Sequence, residues 1–157
     1  MPSRIIARLG LLLLALLWPA AIGESLAAYT PSGPDPCSLF GKTTARWSIT
    51  AATNTQIVTG TSGKQTYICS VHMVVAAADN VAIVEGTGTA CATGTIGVNT
   101  NGTTAASGWN FAANGGISMG NGQGTIMNTT TSGGGANICL FPSAATQLSG
   151  SLEYVQQ

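Results

Sequence analysis

Residues 65–75, QTYICSVHMVV, decide the fold class of this chain. They are rich in β-branched and aromatic side chains, which suit a pleated and half-buried backbone, and they contain neither glycine nor proline. Strict alternation places Tyr67, Cys69, Val71, Met73 and Val75 on one face, and Thr66, Ile68, Ser70, His72 and Val74 on the other. Because both faces are mostly apolar near the middle, we predict a central strand of a β-sheet.

Runs with similar strand chemistry lie on both sides of this stretch, separated by Asn, Gly, Ser or Asp. They cover 46–50, 55–59, 81–85, 109–111, 117–119, 125–128, 137–141 and 147–155. No segment after the N-terminal region has helical periodicity. We therefore predict an all-β fold, a jelly-roll-like β-sandwich of about eight antiparallel strands, with a closed barrel as the alternative.

Two segments between these runs carry turn or loop signals. Asn114-Gly115 and Asn121-Gly122 lie between apolar residues, and both residues of an Asn-Gly pair tolerate the positive φ angles of a type I′ turn. We therefore predict at least one tight β-hairpin at these pairs. Residues 86–108 hold little that could fill a core, so we predict a loop that is fixed at Cys91.

The N-terminal region has the composition of a secretory signal peptide. Arg4 and Arg8 form a positive region, an apolar run covers 9–22, and Ser25 and Ala27 are small residues suited to a cleavage site. The apolar run is shorter than the ~20 residues of a membrane-spanning helix, which favours cleavage over an uncleaved anchor. The predicted organisation is a signal peptide at 1–27, an extended Pro- and Gly-rich leader at 28–36, and a single domain at 37–157. We expect a secreted, periplasmic or cell-surface protein.

Four cysteines follow the predicted signal peptide: Cys37, Cys69, Cys91 and Cys139. Export places them where disulfides persist, and an even number favours two bridges, although three pairings are possible. We favour Cys91 with Cys139, because one lies just beyond a predicted strand and the other lies within a strand. Cys37 with Cys69 would then tether the leader. The alternative, a zinc site that adds His72, lacks the usual Cys and His spacing.

The low charge of the chain excludes several classes of partner. After residue 27 there are three Lys or Arg residues and four Asp or Glu residues. So few cations cannot neutralise several phosphates, which argues against nucleic acid and against an anionic membrane once the signal is cleaved. Weak repulsion between copies favours a homo-oligomer. Residues 147–155 alternate apolar and polar side chains with only Glu153 as a charge, and we expect an exposed edge strand there.

Few residues could support catalysis, and we predict that the chain is not an enzyme. His72 is the only histidine, and its position within a predicted strand favours a partly buried, hydrogen-bonded structural role over catalysis. A triad with Ser70 and Asp79 would lack a nucleophile elbow. Asp79 and Glu85 flank a predicted strand and would lie roughly 20 Å apart, which is too far for a glycosidase pair. We interpret Asp79 as a turn residue and Glu85 as an edge or rim residue. The acidic residues are too dispersed for calcium, and we predict no cofactor and no metal.

Several aromatic residues could instead bind a ligand. Trp47, Trp109, Phe111 and Tyr154 could form a platform on which sugars stack, or they could be the large residues of the core. The candidate ligand-binding residues are Trp109, Phe111 and Asn114. The corresponding partner would be a carbohydrate or a cell surface.

Four segments carry a resemblance to known proteins: Tyr67-Ile-Cys69, Glu85-Gly-Thr-Gly-Thr-Ala-Cys91, Asn137-Ile-Cys139 and Ser149-Gly-Ser-Leu-Glu-Tyr-Val-Gln-Gln157. Over most of the part that follows the signal peptide, the chain resembles a family of small Cys-containing all-β proteins of bacterial and phage-derived origin, without an assigned activity. The resemblance implies an exported or particle-surface structural module and carries over no catalytic residues. We therefore expect a structural or surface protein that self-associates through β-sheet surfaces. The alternative is a carbohydrate- or surface-binding module that uses exposed aromatics and hairpin loops.

Overall fold

The computed structural model describes residues 34–98, 102–131 and 133–157, so the predicted signal peptide and most of the leader lie outside the described residues. A short helix α1 (Pro36–Leu39) precedes ten strands, and two 3-10 helices lie at Thr89–Cys91 and Ala105–Ser107. The strands are β1 (Thr43–Ile49), β2 (Thr55–Val58), β3 (Thr66–Val75), β4 (Asp79–Thr87), β5 (Thr93–Gly97), β6 (Trp109–Phe111), β7 (Gly116–Met119), β8 (Met127–Asn128), β9 (Asn137–Pro142) and β10 (Leu148–Gln156).

The strands form two antiparallel sheets. Sheet A has the order β1-β10-β3, and both β7 and β8 pair with the other side of β3. Sheet B has the order β2-β9-β4, and both β5 and β6 pair with the other side of β4. In each sheet, therefore, one position is shared by two short strands that follow each other along the chain.

This strand order is a jelly roll. When β5 and β6 are taken as one interrupted strand, and β7 and β8 as another, eight strands remain. The first then pairs with the last, the second with the seventh, the third with the sixth, and the fourth with the fifth. This nested pairing wraps the chain into two packed sheets, as in jelly rolls. The predicted all-β sandwich of about eight antiparallel strands is confirmed.

The inner faces of the two sheets bury one apolar core. Its members are Ile49, Val58, Ile68, Val71, Met73, Val75, Val81, Ile83, Phe111, Ile138, Leu140, Leu148 and Leu152. Most come from alternate positions of the central strands, because side chains two residues apart along a strand point to the same face. The alternation predicted for 147–155 is confirmed by Leu148 and Leu152, which are fully buried.

Strict alternation is wrong in β3, where Ile68 joins the same core as Val71. The register against β10 shifts here: Glu153 lies opposite Ser70, Tyr154 lies opposite Ile68, and Cys69 has no residue opposite it. A β-bulge of this kind inserts one extra residue into β3. The side chains before Cys69 therefore point to the opposite face from the one that strict alternation predicts. Cys69 consequently packs in a separate small cluster with Cys37 and Val155.

The predicted edge at 147–155 is also wrong. β10 lies between β1 and β3, so both of its sides are hydrogen-bonded to neighbouring strands. In a jelly roll the last strand returns beside the first, and this return is decided by the whole topology rather than by local composition. The edges of the two sheets are formed by β1, β2 and the short strands β5 to β8.

No tight hairpin forms at either Asn-Gly pair, because β6 belongs to sheet B and β7 to sheet A. The turn at Asn114-Gly115 therefore connects the two sheets, and only Asn114 has a positive φ, of 58°. At the second pair only Gly122 has a positive φ, of 78°, and the segment leads from β7 to β8 along β3. An Asn-Gly pair indicates which backbone angles the chain can adopt there, but it does not determine which strands pair with each other.

The predicted loop at 86–108 contains β5, although two of the five residues in its sequence, TGTIG, are glycines, which weaken a strand signal. Pairing with the central strand β4 supplies its hydrogen bonds instead. The end of the predicted leader also differs, since Pro36 begins α1 and is preceded by a capping residue, Asp35. Proline is favoured at the first position of a helix, where its missing N–H is not needed.

Asp35 joins α1 to the segment before β8. Its carboxylate accepts hydrogen bonds from the Thr125 backbone N–H (2.8 Å), the Thr125 hydroxyl (2.9 Å) and the Cys37 backbone N–H (2.8 Å). The Thr125 backbone hydrogen bond is the main cause that lowers the pKa of Asp35 below its ordinary value of 3.8, and the other donors add to it. Desolvation by burial raises the pKa of Asp35, but its effect is smaller than the combined effect of the hydrogen bonds.

We expect the contribution of Asp35 to stability to depend on pH. Its pKa is lower in the folded than in the unfolded chain, so the contribution is complete above the unfolded value and disappears as pH falls through the folded value. Asp35→Asn replaces one of the two acceptor oxygens with an NH₂ group, so one of these donors would lose its partner. The variant should be less stable than the wild type at about pH 6 by roughly 1 kcal/mol, and the difference should shrink at about pH 2. Urea unfolding at both pH values measures it, and a constant difference would contradict this assignment.

Candidate functional site

All four predicted cysteines form disulfides, and the favoured pairing is confirmed. Cys37 is joined to Cys69 and Cys91 to Cys139, with Cα–Cα distances of 5.5 Å and 6.1 Å. The first bridge holds α1 against the bulge of β3, and the second holds the β4–β5 connection against β9. No cysteine in the described part of the chain is free, so the cysteine zinc site is excluded.

The two disulfides fit an extracellular or otherwise oxidising compartment. Within the described ranges, no helix has the length and apolar character needed to cross a bilayer. The same ranges contain no group of three or more His, Cys, Asp or Glu residues that could hold a metal ion.

The predicted aromatic ligand residues belong largely to the core. Phe111 is buried, and Trp109 is half-buried and packs against the same core, with ring centroids 6.3 Å apart. Trp47 and Tyr154 are likewise half-buried and pack against the core from sheet A. Asn114 differs, because it is exposed in the turn between β6 and β7. The structure therefore does not bring the three candidate residues together on one exposed surface.

The two carboxylates considered as a glycosidase pair are both buried and hold loops in place. One oxygen of Asp79 accepts hydrogen bonds from the Ser143 N–H, the Ser143 hydroxyl and the Ala144 N–H, at 2.8 to 2.9 Å. Its other oxygen is buried without a partner. Asp79 begins β4 and fixes the turn that follows β9.

Glu85 is not an edge or rim residue, since it is 1% exposed and lies in the central strand β4. Its carboxylate accepts hydrogen bonds from the Thr130 N–H at 2.8 and 2.9 Å, from the Thr130 hydroxyl at 2.6 Å and from the Thr131 N–H at 3.3 Å. A buried carboxylate is tolerated only when such donors replace water. Glu85 therefore anchors the segment after β8 and is not available to a substrate.

The outer faces of the two sheets differ. On sheet B, Ala82, Val84, Cys91 and Cys139 are fully buried in a second apolar cluster, with Phe141 packed against it. On sheet A, the outward residues of β1, β3 and β7 are exposed, among them Arg46, His72, Val74 and Ser118. The candidate site is therefore on sheet A, where the central strands remain accessible.

Side chains on this outer face are aligned across four strands. Arg46 lies opposite Ser151, Ser151 opposite His72, and His72 opposite Ser118. His72 Nδ1 and the Ser118 hydroxyl oxygen are 2.7 Å apart and share a hydrogen bond. The sequence predicted a partly buried structural histidine, but the ring is exposed. The bulge at Cys69 moves Ile68 into the core, while His72 and Val74 remain on the outer face.

Two shallow depressions on this face share Val74 and Ser149. One, of about 340 Å³, is also lined by His72, Ile117 and Ser151, and the other, of about 230 Å³, by Ala76, Asn114 and Gln147. We call the combined depression the sheet A groove. Asn114 is thus the one predicted ligand residue that reaches an accessible depression, because the turn between the sheets carries it to this face.

No protein-family model, no curated protein and no solved structure matches the chain. The resemblance to the small bacterial and phage-derived family therefore stays a prediction.

Proposed function

We propose that the chain is a non-enzymatic exported structural protein that self-associates by pairing β5 strands of two copies. The observation that carries this proposal is the character of β5. It is an edge strand of sheet B with no charged residue and no proline, and its Ile96 side chain is 44% exposed. An edge of this kind offers unpaired backbone groups to a further strand.

The other edges are less suited to strand addition. Arg46 lies within β1, and Lys42 precedes it, and edge charges of this kind discourage pairing with another chain. β2 has only four residues, none of which is exposed. The strands β6, β7 and β8 have only three, four and two residues.

Pairing of two β5 strands would be antiparallel and symmetric, since the same strand contributes from both copies. It would extend sheet B from one copy into the next and cover both Ile96 side chains. The contact would contain no charged side chain, so the salt concentration should have little effect on the association. The disulfides and the predicted signal peptide support an exported location for such an assembly.

We predict that Ile96→Lys weakens self-association by roughly tenfold or more, which corresponds to about 1.4 kcal/mol. A lysine on the edge would place like charges opposite each other in a symmetric contact. Thr50→Lys adds the same charge at an exposed position after β1 and should behave like the wild type. Light scattering of the oxidised protein over a range of micromolar concentrations, at low and high salt, measures the association.

Two results would refute this proposal. One is a strictly monomeric wild type at every concentration. The other is equal association of the wild type and Ile96→Lys. Strong weakening by salt would contradict the uncharged contact, because only ionic contacts are screened in this way.

A further inference from the structure

The sheet A groove is long and shallow rather than closed. Its exposed residues on β3 and just beyond it, His72, Val74 and Ala76, span roughly 13 Å at ~3.3 Å per residue. Ser149 and Ser151 of β10 run beside them. A depression of this form suits an extended chain-like ligand better than a compact cofactor, which usually occupies a deeper cavity.

The lining of the groove carries no acidic residue, lysine or arginine. Arg46 lies one strand beyond Ser151, and Glu153 lies further along β10, where it accepts a hydrogen bond from Ser70 at 3.1 Å. An anionic or cationic ligand would therefore find no counter-charge within the groove itself. The lining matches a neutral ligand.

Several hydrogen-bonding groups in the groove have no partner among the described residues. They are Nε2 of His72, the hydroxyl of Ser151 and the side-chain amide of Asn114. These groups include both donors and acceptors. Sugar hydroxyls also both donate and accept, so one class of ligand can satisfy all of them.

Val74 is the most exposed large apolar side chain of the groove, at 49% exposure, and Ile117 also lines it. Val74 lies between Ser149 of β10 and Gly116 of β7 in the register, so no bulky side chain directly opposite covers it. A pyranose ring has an apolar C–H face that can lie on such a side chain. Ligand sites commonly combine an apolar surface with a few polar groups that fix orientation.

From these features we propose that the sheet A groove binds a neutral glycan chain. The site lies on sheet A, away from β5, so it does not depend on the proposed self-association. It lacks an exposed aromatic ring for stacking, since Trp109 and Phe111 pack in the core. Weak binding is therefore expected, with a Kd of about 0.1 to 1 mM.

Affinity electrophoresis of the oxidised full chain tests this proposal, with gels that contain dextran, galactomannan, mixed-linkage β-glucan or soluble starch. At least one of these neutral polysaccharides should retard the wild type. Val74→Asp removes the apolar contact and adds a charge, and should weaken the retardation by roughly tenfold or more. Thr103→Asp adds the same charge at an exposed residue outside the groove and should bind like the wild type. Thermal unfolding checks that both variants are folded.

The variant Ile96→Lys, in which self-association should be weakened, separates this proposal from the proposed function, because it should still bind the polysaccharide. The glycan site is overturned if no neutral polysaccharide retards the wild type. It is also overturned if Val74→Asp and the wild type are retarded equally, or if only an anionic polymer such as alginate causes retardation.

Discussion

Replacement of both Cys91 and Cys139 by alanine is expected to lower the free energy of unfolding by about 4 kcal/mol. The two residues are 48 positions apart, and a bridge that closes a loop of this length removes much of the conformational freedom of the unfolded chain. Because domains of this size are stabilised by only about 5 to 15 kcal/mol, the loss would be a large fraction of the total.

The bridge also holds an unfavourable turn in the folded protein. Ala90 and Cys91 have φ angles of 52° and 57°, in the left-handed region that side chains with a Cβ rarely adopt. The connection from β4 to β5 depends on this turn, so its loss should loosen β5 first. Amide hydrogen exchange of β5 should consequently rise more than that of β3, which lies in the other sheet.

Urea unfolding monitored by tryptophan fluorescence measures the stability of this double variant. The Cys37→Ala and Cys69→Ala pair is a matched comparison, because its loop of 32 residues should give nearly the same entropic loss. The loss of the Cys37–Cys69 bridge should not, however, increase amide hydrogen exchange selectively in β5. A loss below about 1 kcal/mol for the Cys91 and Cys139 pair would contradict the expected role of this bridge.

Glu85→Gln should lower the free energy of unfolding by about 3 kcal/mol, although the side chain keeps nearly the same shape. The carboxylate only accepts hydrogen bonds, and its partners are the N–H groups of Thr130 and Thr131 and the Thr130 hydroxyl. An amide replaces one acceptor oxygen with an NH₂ group, which would face these donors inside the protein. At least one of these donors would then lose its partner.

Glu153→Gln is the control for this change. Glu153 is only partly buried, and its carboxylate accepts a hydrogen bond from the Ser70 hydroxyl, which can both donate and accept. We expect a loss of less than about 1 kcal/mol for this variant. Equal losses in the two variants, or unchanged amide exchange at Thr130 in Glu85→Gln, would show that Glu85 does not anchor this segment.

The sequence alone determined the fold class, and local side-chain chemistry is the reason. The stretch at 65–75 forms a central strand, and Leu148 and Leu152 lie in the core as their alternation predicted. The sequence also favoured the observed disulfide pairing among three possible ones, because Cys91 follows one predicted strand directly and Cys139 lies within another. Alternation and β-branching are properties of short segments, so the sequence shows them directly.

Tertiary structure decided which strands are neighbours. It placed β10 in the centre of sheet A, directed the turn at Asn114 between the sheets, and made TGTIG of β5 a strand through pairing with β4. It also buried Glu85 against Thr130, a residue 45 positions away. The central position of β10 and the burial of Glu85 depend on hydrogen bonds between segments far apart in the chain, and the register of β10 against β3 includes the bulge at Cys69. Local composition cannot specify such pairings, because the backbone N–H and C=O groups of one strand can form hydrogen bonds with any compatible neighbouring strand.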